Sequence, residues 1–220
     1  MSDLAALDRR FVIVPSSLDV AGTPVALERP RSADDLISEV DFDKDERLPY
    51  WADVWPSSTA LAGFVAALDG RGLRAIELGC GLGLVTIAAL RAGFDVLATD
   101  YYDDALRFTR RNALANAPRA PQTRMVDWRD FPADLGTFDL VLASDVLYEK
   151  PYAALVAQAI DRTLTTGGRA LVSDPGRLAV PDFLEACAAR GLTARVIAQV
   201  PWEEPPARQT INIHEITRPQ

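Results

Sequence analysis

From Ser57 to the C-terminus, helical stripes of apolar residues alternate with short strand-like runs. Leu61, Phe64, Val65 and Leu68 share one stripe, and Pro56-Ser57 offers a start with Ser57 as N-cap, which predicts a helix over 57–69. A strand at 74–78 then runs into Glu77-Leu78-Gly79-Cys80-Gly81-Leu82-Gly83, followed by a helix at 85–91 that stops at Gly93. The alternation continues with a strand at 95–99 ending on Asp100, and a helix at 104–115 broken by Pro118 and Pro121. Strands follow at 123–126, before Asp127-Trp128, and at 138–143, before Ser144-Asp145. A helix at 152–164, a turn at Gly167-Gly168, a strand at 169–173 and a helix at 183–190 extend the pattern. Two last strands, 193–200 and 209–217, are separated by the proline-rich stretch 201–206.

Strand–helix alternation predicts an α/β fold with a doubly wound, mostly parallel sheet covered on both faces. The two terminal strands have no helix between them, which predicts an antiparallel pair with the C-terminal strand at one edge. The chain before Tyr50 reads differently. Short β-prone runs at 10–15 and 24–28 flank a turn at 19–23, and Ser32-Ala33-Asp34-Asp35 has capping-box spacing for a short helix toward Val40. With the charged connector at 41–47, this is read as a small N-terminal cap (1–49) on a main domain (50–220).

Composition narrows the class. With 49% apolar and 25% charged residues the chain is an ordinary globular one, which argues against disorder. No apolar run approaches the roughly 20 residues of a membrane-spanning helix, and the N-terminus lacks the order of a signal peptide. Cys80 and Cys187 are too few and too far apart for a disulfide framework or a metal site, so no metal is expected and a cytoplasmic setting is. A net charge of −8 disfavours nucleic acid and favours a basic partner, such as a lysine-bearing protein.

Candidate chemistry gathers at the strand ends. A glycine-rich turn after the first core strand lets the backbone approach a ligand, and Asp100 closes the next strand near the offset at which a carboxylate reaches a ribose diol. The spacing is Gly-x-Gly-x-Gly rather than the Gly-x-Gly-x-x-Gly of dinucleotide sites, and Glu77 would sit as a like charge beside a pyrophosphate. S-adenosylmethionine, which carries an ammonium and a sulfonium and no phosphate, suits that carboxylate. An NAD-dependent enzyme stays open as an alternative.

These motifs resemble those of the seven-strand, class I S-adenosylmethionine-dependent methyltransferases, with their Rossmann-like sheet, from about Trp51 to the C-terminus. The resemblance implies that Gly79 to Gly81 approach the methionine moiety and that Asp100 binds the ribose hydroxyls, with Glu77, Cys80, Gly83 and Tyr101 also among the cofactor-binding residues. It places Asp127 or Trp128 at the adenine, although Trp128 is open to a second role as a core aromatic. Ser144 closes the fourth strand of the set. Asp145-Val146-Leu147-Tyr148 is similar to the acidic-x-x-aromatic motif of the protein-lysine methyltransferases. Pro49-Tyr50-Trp51-Ala52, Trp55-Pro56 and Asp174-Pro175-Gly176-Arg177 resemble the branch that modifies the β-subunit of electron-transfer flavoprotein. By that resemblance Trp55 packs against the cofactor, while Asp145 and Tyr148 handle the lysine. A neutral amine must be aligned beside the sulfonium, and a carboxylate at the crevice would orient it. Two other readings stand beside lysine methylation: a small-molecule N-methyltransferase acting on an amine or pyridine, and a binding module without turnover. His214 and Cys80 read as structural, and Glu203 and Glu204 as part of a solvated loop.

Overall fold

The computed structural model describes residues 3–32, 36, 49–204 and 207–219. Seven strands form one sheet: β3 (Arg74–Leu78), β4 (Asp95–Asp100), β5 (Gln122–Met125), β6 (Phe138–Ser144), β7 (Leu164–Asp174), β8 (Thr193–Glu204) and β9 (Ala207–Thr217). Their order is β5-β4-β3-β6-β7-β9-β8, parallel from β5 through β7. The antiparallel pair stands at the edge, with β9 inside and β8 outermost, because β9 hydrogen-bonds to both β7 and β8. The helices are α2 (Pro56–Val65), α3 (Leu84–Arg91), α4 (Asp103–Asn116), α5 (Lys150–Thr163) and α6 (Val180–Ala188). Alternate residues of β6 serve the two faces. Leu140 and Leu142 pack with Leu61 and Val65 of α2 and Val85 and Ile87 of α3. Val141 and Ala143 pack with Val156 and Ile160 of α5 and Phe183 of α6. Burial on both faces is why these strands are nearly continuous apolar runs.

Several boundaries differ from the sequence reading. The helix over 57–69 ends at Val65, and Ser57 is not its cap: the N-cap position is Trp55, and Pro56 in the first turn starts the helix by its fixed φ. Gly167-Gly168 does not separate helix from strand. Leu164 pairs with Phe138 and Arg169 with Leu140, so an irregularity inside β7 absorbs the glycines. β8 runs through Pro201 to Glu204, and its edge position is where a sheet tolerates proline. Residues 205–206 of the predicted proline loop lie outside the described residues.

Ahead of the sheet, α1 (Asp3–Arg10) is a helix that the sequence reading did not contain. β1 (Ile13–Val20) and β2 (Thr23–Pro30) form an antiparallel hairpin. Its two-residue turn puts Ala21 (φ 52°) and Gly22 (φ 79°) in left-handed conformation, and the Gly22 N–H donates to Asp19 Oδ1 at 2.8 Å. Val20, Val25 and Leu27 join the core beside α2 and α3. Apart from Ser32 and Leu36, the predicted helix toward Val40 and the charged connector at 41–47 lie outside the described residues.

This hairpin is tied to the glycine loop through one side chain of α4. Asn112, almost fully buried, donates to Leu82 O at 2.9 Å and Glu28 O at 3.0 Å, and accepts from Glu28 N at 2.8 Å. Leu7 of α1 packs with Trp51, Leu82 and Phe108, while the Arg10 guanidinium forks onto Asp104 at 2.6 and 2.8 Å. The chain reverses its course through the sheet between β3 and β6, the place where an open α/β sheet leaves a crevice beyond its strand ends.

Candidate active site

An open crevice lies at that reversal. It is lined by the loop after β3, the ends of β4, β5 and β6, and the turn Tyr50–Ala52. The loop is bent by left-handed glycines. Gly83 (φ 86°) has no room for a side chain, since a Cβ there would lie 2.9 Å from Thr109 of α4. At Gly81 (φ 52°) a Cβ would come within 3.1 Å of Trp51 O. The Gly79 and Cys80 N–H groups both donate to Thr99 O at 2.9 Å, and the Thr109 hydroxyl donates to Gly81 O at 2.8 Å. At the end of β4, Asp100 accepts from Gly81 N and from Tyr102 N, each at 3.0 Å.

Two buried carboxyl groups therefore face the crevice. Glu77 is held by a short hydrogen bond from the Thr86 hydroxyl, and burial pushes its pKa up to about 8. Burial also raises Asp100 above the ordinary carboxylate range, against the opposing pull of its main-chain donors. Among the described residues neither has a basic side chain of the protein beside it. Cys80 is a buried thiol raised well above its usual range by the same desolvation, with the Thr109 hydroxyl 3.3 Å from its sulfur, an environment unsuited to a nucleophile.

Past β5, Asp127 caps the turn Trp128–Asp130 by accepting from Arg129 N at 2.9 Å, and the Arg129 guanidinium folds back onto the same carboxylate. That guanidinium also lies 5.6 Å from the Tyr101 ring. Trp128 packs against the core and also lines the crevice, edge-on to Tyr152 at 5.7 Å.

At the far end, Asp145 follows Ser144 in left-handed conformation (φ 54°) with its side chain only 4% exposed. Its Oδ2 accepts from the Ser57 hydroxyl at 2.9 Å, and its Oδ1 accepts from Arg177 Nε at 2.9 Å. Tyr148 stands at the rim between Tyr50 (5.1 Å between centroids) and Tyr152 (5.0 Å). Burial raises its phenol well above the usual value, so the hydroxyl stays neutral. Trp55 donates from Nε1 to Tyr50 O at 2.9 Å and packs edge-on to the Tyr50 ring at 5.9 Å. Five rings, Trp55, Tyr50, Tyr148, Tyr152 and Trp128, thus follow one another around the opening.

The crevice brings together Trp55, Glu77, Gly79, Cys80, Gly81, Asp100, Tyr101, Asp127, Trp128, Ser144, Asp145 and Tyr148. Gly83 stands behind the loop against Thr109 instead. The sequence reading missed the partners of Asp145. In the sequence Ser57 stands where a helix cap would stand, and Arg177 is only part of the stretch Asp174-Pro175-Gly176-Arg177. Tyr50 and Tyr152 were likewise not singled out. His214 is buried in β9, where desolvation lowers its pKa, and it does not line the crevice. Glu203 is exposed, 3.8 Å from Arg208.

A family model described as lysine methyltransferase matches residues 38–178. Among curated relatives, the chain is 34% identical over 137 residues to the electron transfer flavoprotein beta subunit lysine methyltransferase of Xenopus laevis, covering 59% of this chain and 53% of that protein. It is 36% identical over 113 residues to mouse EEF1A lysine methyltransferase 3, covering 48% and 47%. The chain spans about half the length of the curated relatives it matches. Among solved structures, a ribosomal protein L11 methylase from Lactobacillus delbrueckii superposes with a TM-score of 0.60 at 24% identity, over 76% of this chain and 81% of that one. Magnesium protoporphyrin IX methyltransferase from Synechocystis, solved with S-adenosylhomocysteine bound, gives 0.59 at 18% identity, over 84% and 97%. These structural likenesses establish the fold: a class I, Rossmann-like methyltransferase sheet.

Proposed function

We propose, from the premise that this chain belongs to the lysine methyltransferase family, that it transfers methyl groups from S-adenosylmethionine to lysine side chains of a protein. The observation that carries this reading is the pairing, in one crevice, of a glycine loop bound to Asp100 with an acceptor end built from Asp145 and Tyr148. The crevice suits that cofactor chemically. Glu77 and Asp100 are buried carboxyls without a basic partner, matched to an ammonium and a ribose diol. Trp128, Asp127 and Tyr101 offer a flat ring, an acceptor and a second ring on the adenine side. S-adenosylmethionine supplies a methyl group already activated on a sulfonium, so the protein's task is alignment and exclusion of water.

The residues divide that task by position. The aromatic opening admits an unbranched amine and screens its path from water, with ring faces that tolerate a cation. Asp145, fixed from two sides, offers a hydrogen-bond acceptor that orients the amine N–H and so points the lone pair along the crevice. The neutral Tyr148 hydroxyl is no base. The ammonium proton therefore leaves to water before the N–C bond forms, since only the neutral amine has a lone pair to attack with.

The partner surface follows from charge: a chain of net −8 attracts a lysine-bearing, basic protein. Among the described residues, no helix is long and apolar enough to cross a membrane. The reading is tested by incubating the protein with methyl-labelled S-adenosylmethionine and a cell lysate. Label is expected in protein, and label confined to small molecules would refute the proposed substrate class.

A further inference from the structure

The carboxylate at the acceptor end is already matched by a cation of the same chain. Arg177 donates from Nε to Asp145 Oδ1 at 2.9 Å, and its terminal nitrogen lies 2.8 Å from the same oxygen. The guanidinium is also 5.8 Å from the ring of Trp55, another crevice residue. Its loop is fixed, because Asp174 Oδ1 accepts the N–H groups of both Gly176 and Arg177 at 2.6 Å. Asp145 is no freer. Its N–H donates to Ser173 O at 3.0 Å, the Ser57 hydroxyl holds Oδ2, and its left-handed backbone persists only because its surroundings determine it. An ion pair held from this many sides is a built feature of the site.

A lone buried carboxylate would attract an ammonium and keep it protonated. That is the wrong state for a methyl acceptor, whose nitrogen needs a free lone pair. A fixed guanidinium removes that attraction while leaving the carboxylate lone pairs that Arg177 and Ser57 do not use.

We propose that Arg177 is a specificity-determining residue: it cancels the charge of Asp145, so that the acceptor end of the crevice selects an uncharged amine over an ammonium. The proposal rests on the methyltransferase reading above. Glu77, Asp100 and Glu149 also line the crevice, and Asp174 holds the Arg177 loop. All four are unchanged in every variant below, so differences among the variants report the Asp145–Arg177 pair.

Two ligands separate charge from the rest of binding. Sinefungin carries a primary amine, protonated at neutral pH, where the transferable methyl would be, whereas S-adenosylhomocysteine has no charge at that position. Calorimetric titration of both at pH 7 gives the affinity ratio for each variant. The unmodified protein is expected to show little preference for sinefungin. Arg177→Gln is expected to raise the sinefungin preference by about tenfold or more, as an uncompensated carboxylate would. Arg177→Lys, which keeps the charge, and the double variant Asp145→Asn with Arg177→Gln are both expected to return to the unmodified ratio. An unchanged ratio in Arg177→Gln would overturn the proposal.

Should Arg177→Gln be too unstable to titrate, the unpaired buried charge is the expected cause, and adding Asp145→Asn restores the melting temperature. Failure of that rescue would equally overturn it. Absence of binding by either ligand to the unmodified protein would refute the methyltransferase reading itself, and the proposal with it.

Discussion

The main-chain N–H of Gly81 donates to Oδ2 of Asp100 at 3.0 Å, so the glycine loop after β3 is fastened to the end of β4 by the same carboxylate proposed to hold the ribose. Asp100→Asn keeps the side chain's shape but replaces one acceptor oxygen by a donor and removes the charge. Affinity for S-adenosylhomocysteine is expected to fall about 10- to 100-fold, the scale of a lost charge-assisted hydrogen bond. Isothermal titration measures it, and an affinity within threefold of the unmodified value would remove Asp100 from the binding site.

Glu77 carries a pH signature. Its pKa is raised from 4.5 to about 8 in the folded chain, so the folded state holds this proton more tightly than the unfolded state. The associated stability is fully present below pH 4.5 and is lost as pH rises through about 8, a change on the order of a few kcal/mol. Glu77→Gln, which mimics the protonated acid, is expected to lose this contribution to the slope. Urea unfolding of both proteins at pH 5 and pH 9 checks it: the stability difference between the two should shift toward the variant at the higher pH.

Asn112 is the bridge between the N-terminal hairpin and the glycine loop. Asn112→Ala leaves Leu82 O, Glu28 O and Glu28 N without these partners, each costing about 1–3 kcal/mol where water does not replace it. The expected outcome is a fall in unfolding free energy accompanied by weaker binding of S-adenosylhomocysteine, since the loop loses its brace. A drop in stability with unaltered ligand affinity would separate the cap from the crevice.

Much of this arrangement was legible in the sequence, for a physical reason. A sheet buried on both faces makes nearly continuous apolar strands, such as 138–143, and its ligand crevice must fall where those strands end. Gly79, Gly81, Asp100, Asp127 and Asp145 could therefore be placed at the crevice by spacing, whereas Gly83 serves the close packing of the loop on Thr109 instead. Contacts between distant segments could not be placed this way. Ser57 and Asp145 are 88 residues apart, and Arg177 is 32 residues beyond Asp145. Ser57 stands where a helix cap would stand, and only the packing of α2 beside β6 turns its hydroxyl toward a carboxylate. The helix Asp3–Arg10 was missed because its stability comes from Leu7 packing on Trp51, Leu82 and Phe108, and from the Arg10 fork onto Asp104, rather than from its own short sequence.

Tyr148 is expected to act through its ring. Tyr148→Phe preserves the stack between Tyr50 and Tyr152 and should retain most methyl transfer, with no change in the pH profile, because the phenol does not ionise in the working range. Tyr148→Ala opens the rim and is expected to reduce transfer by about 3- to 30-fold, the scale of a lost ring–cation contact and its packing. Initial rates with labelled S-adenosylmethionine distinguish the two, and equal losses in both variants would assign the role to the hydroxyl.

Methylation of protein lysine is tested most directly by peptide-level mass spectrometry of lysate proteins treated with the enzyme and S-adenosylmethionine. Methyl groups should map to lysine nitrogens, depend on the enzyme, and be lost with Asp145→Ala. Enzyme-dependent methylation mapped to carboxyl groups, to other side chains, or only to small molecules would contradict it.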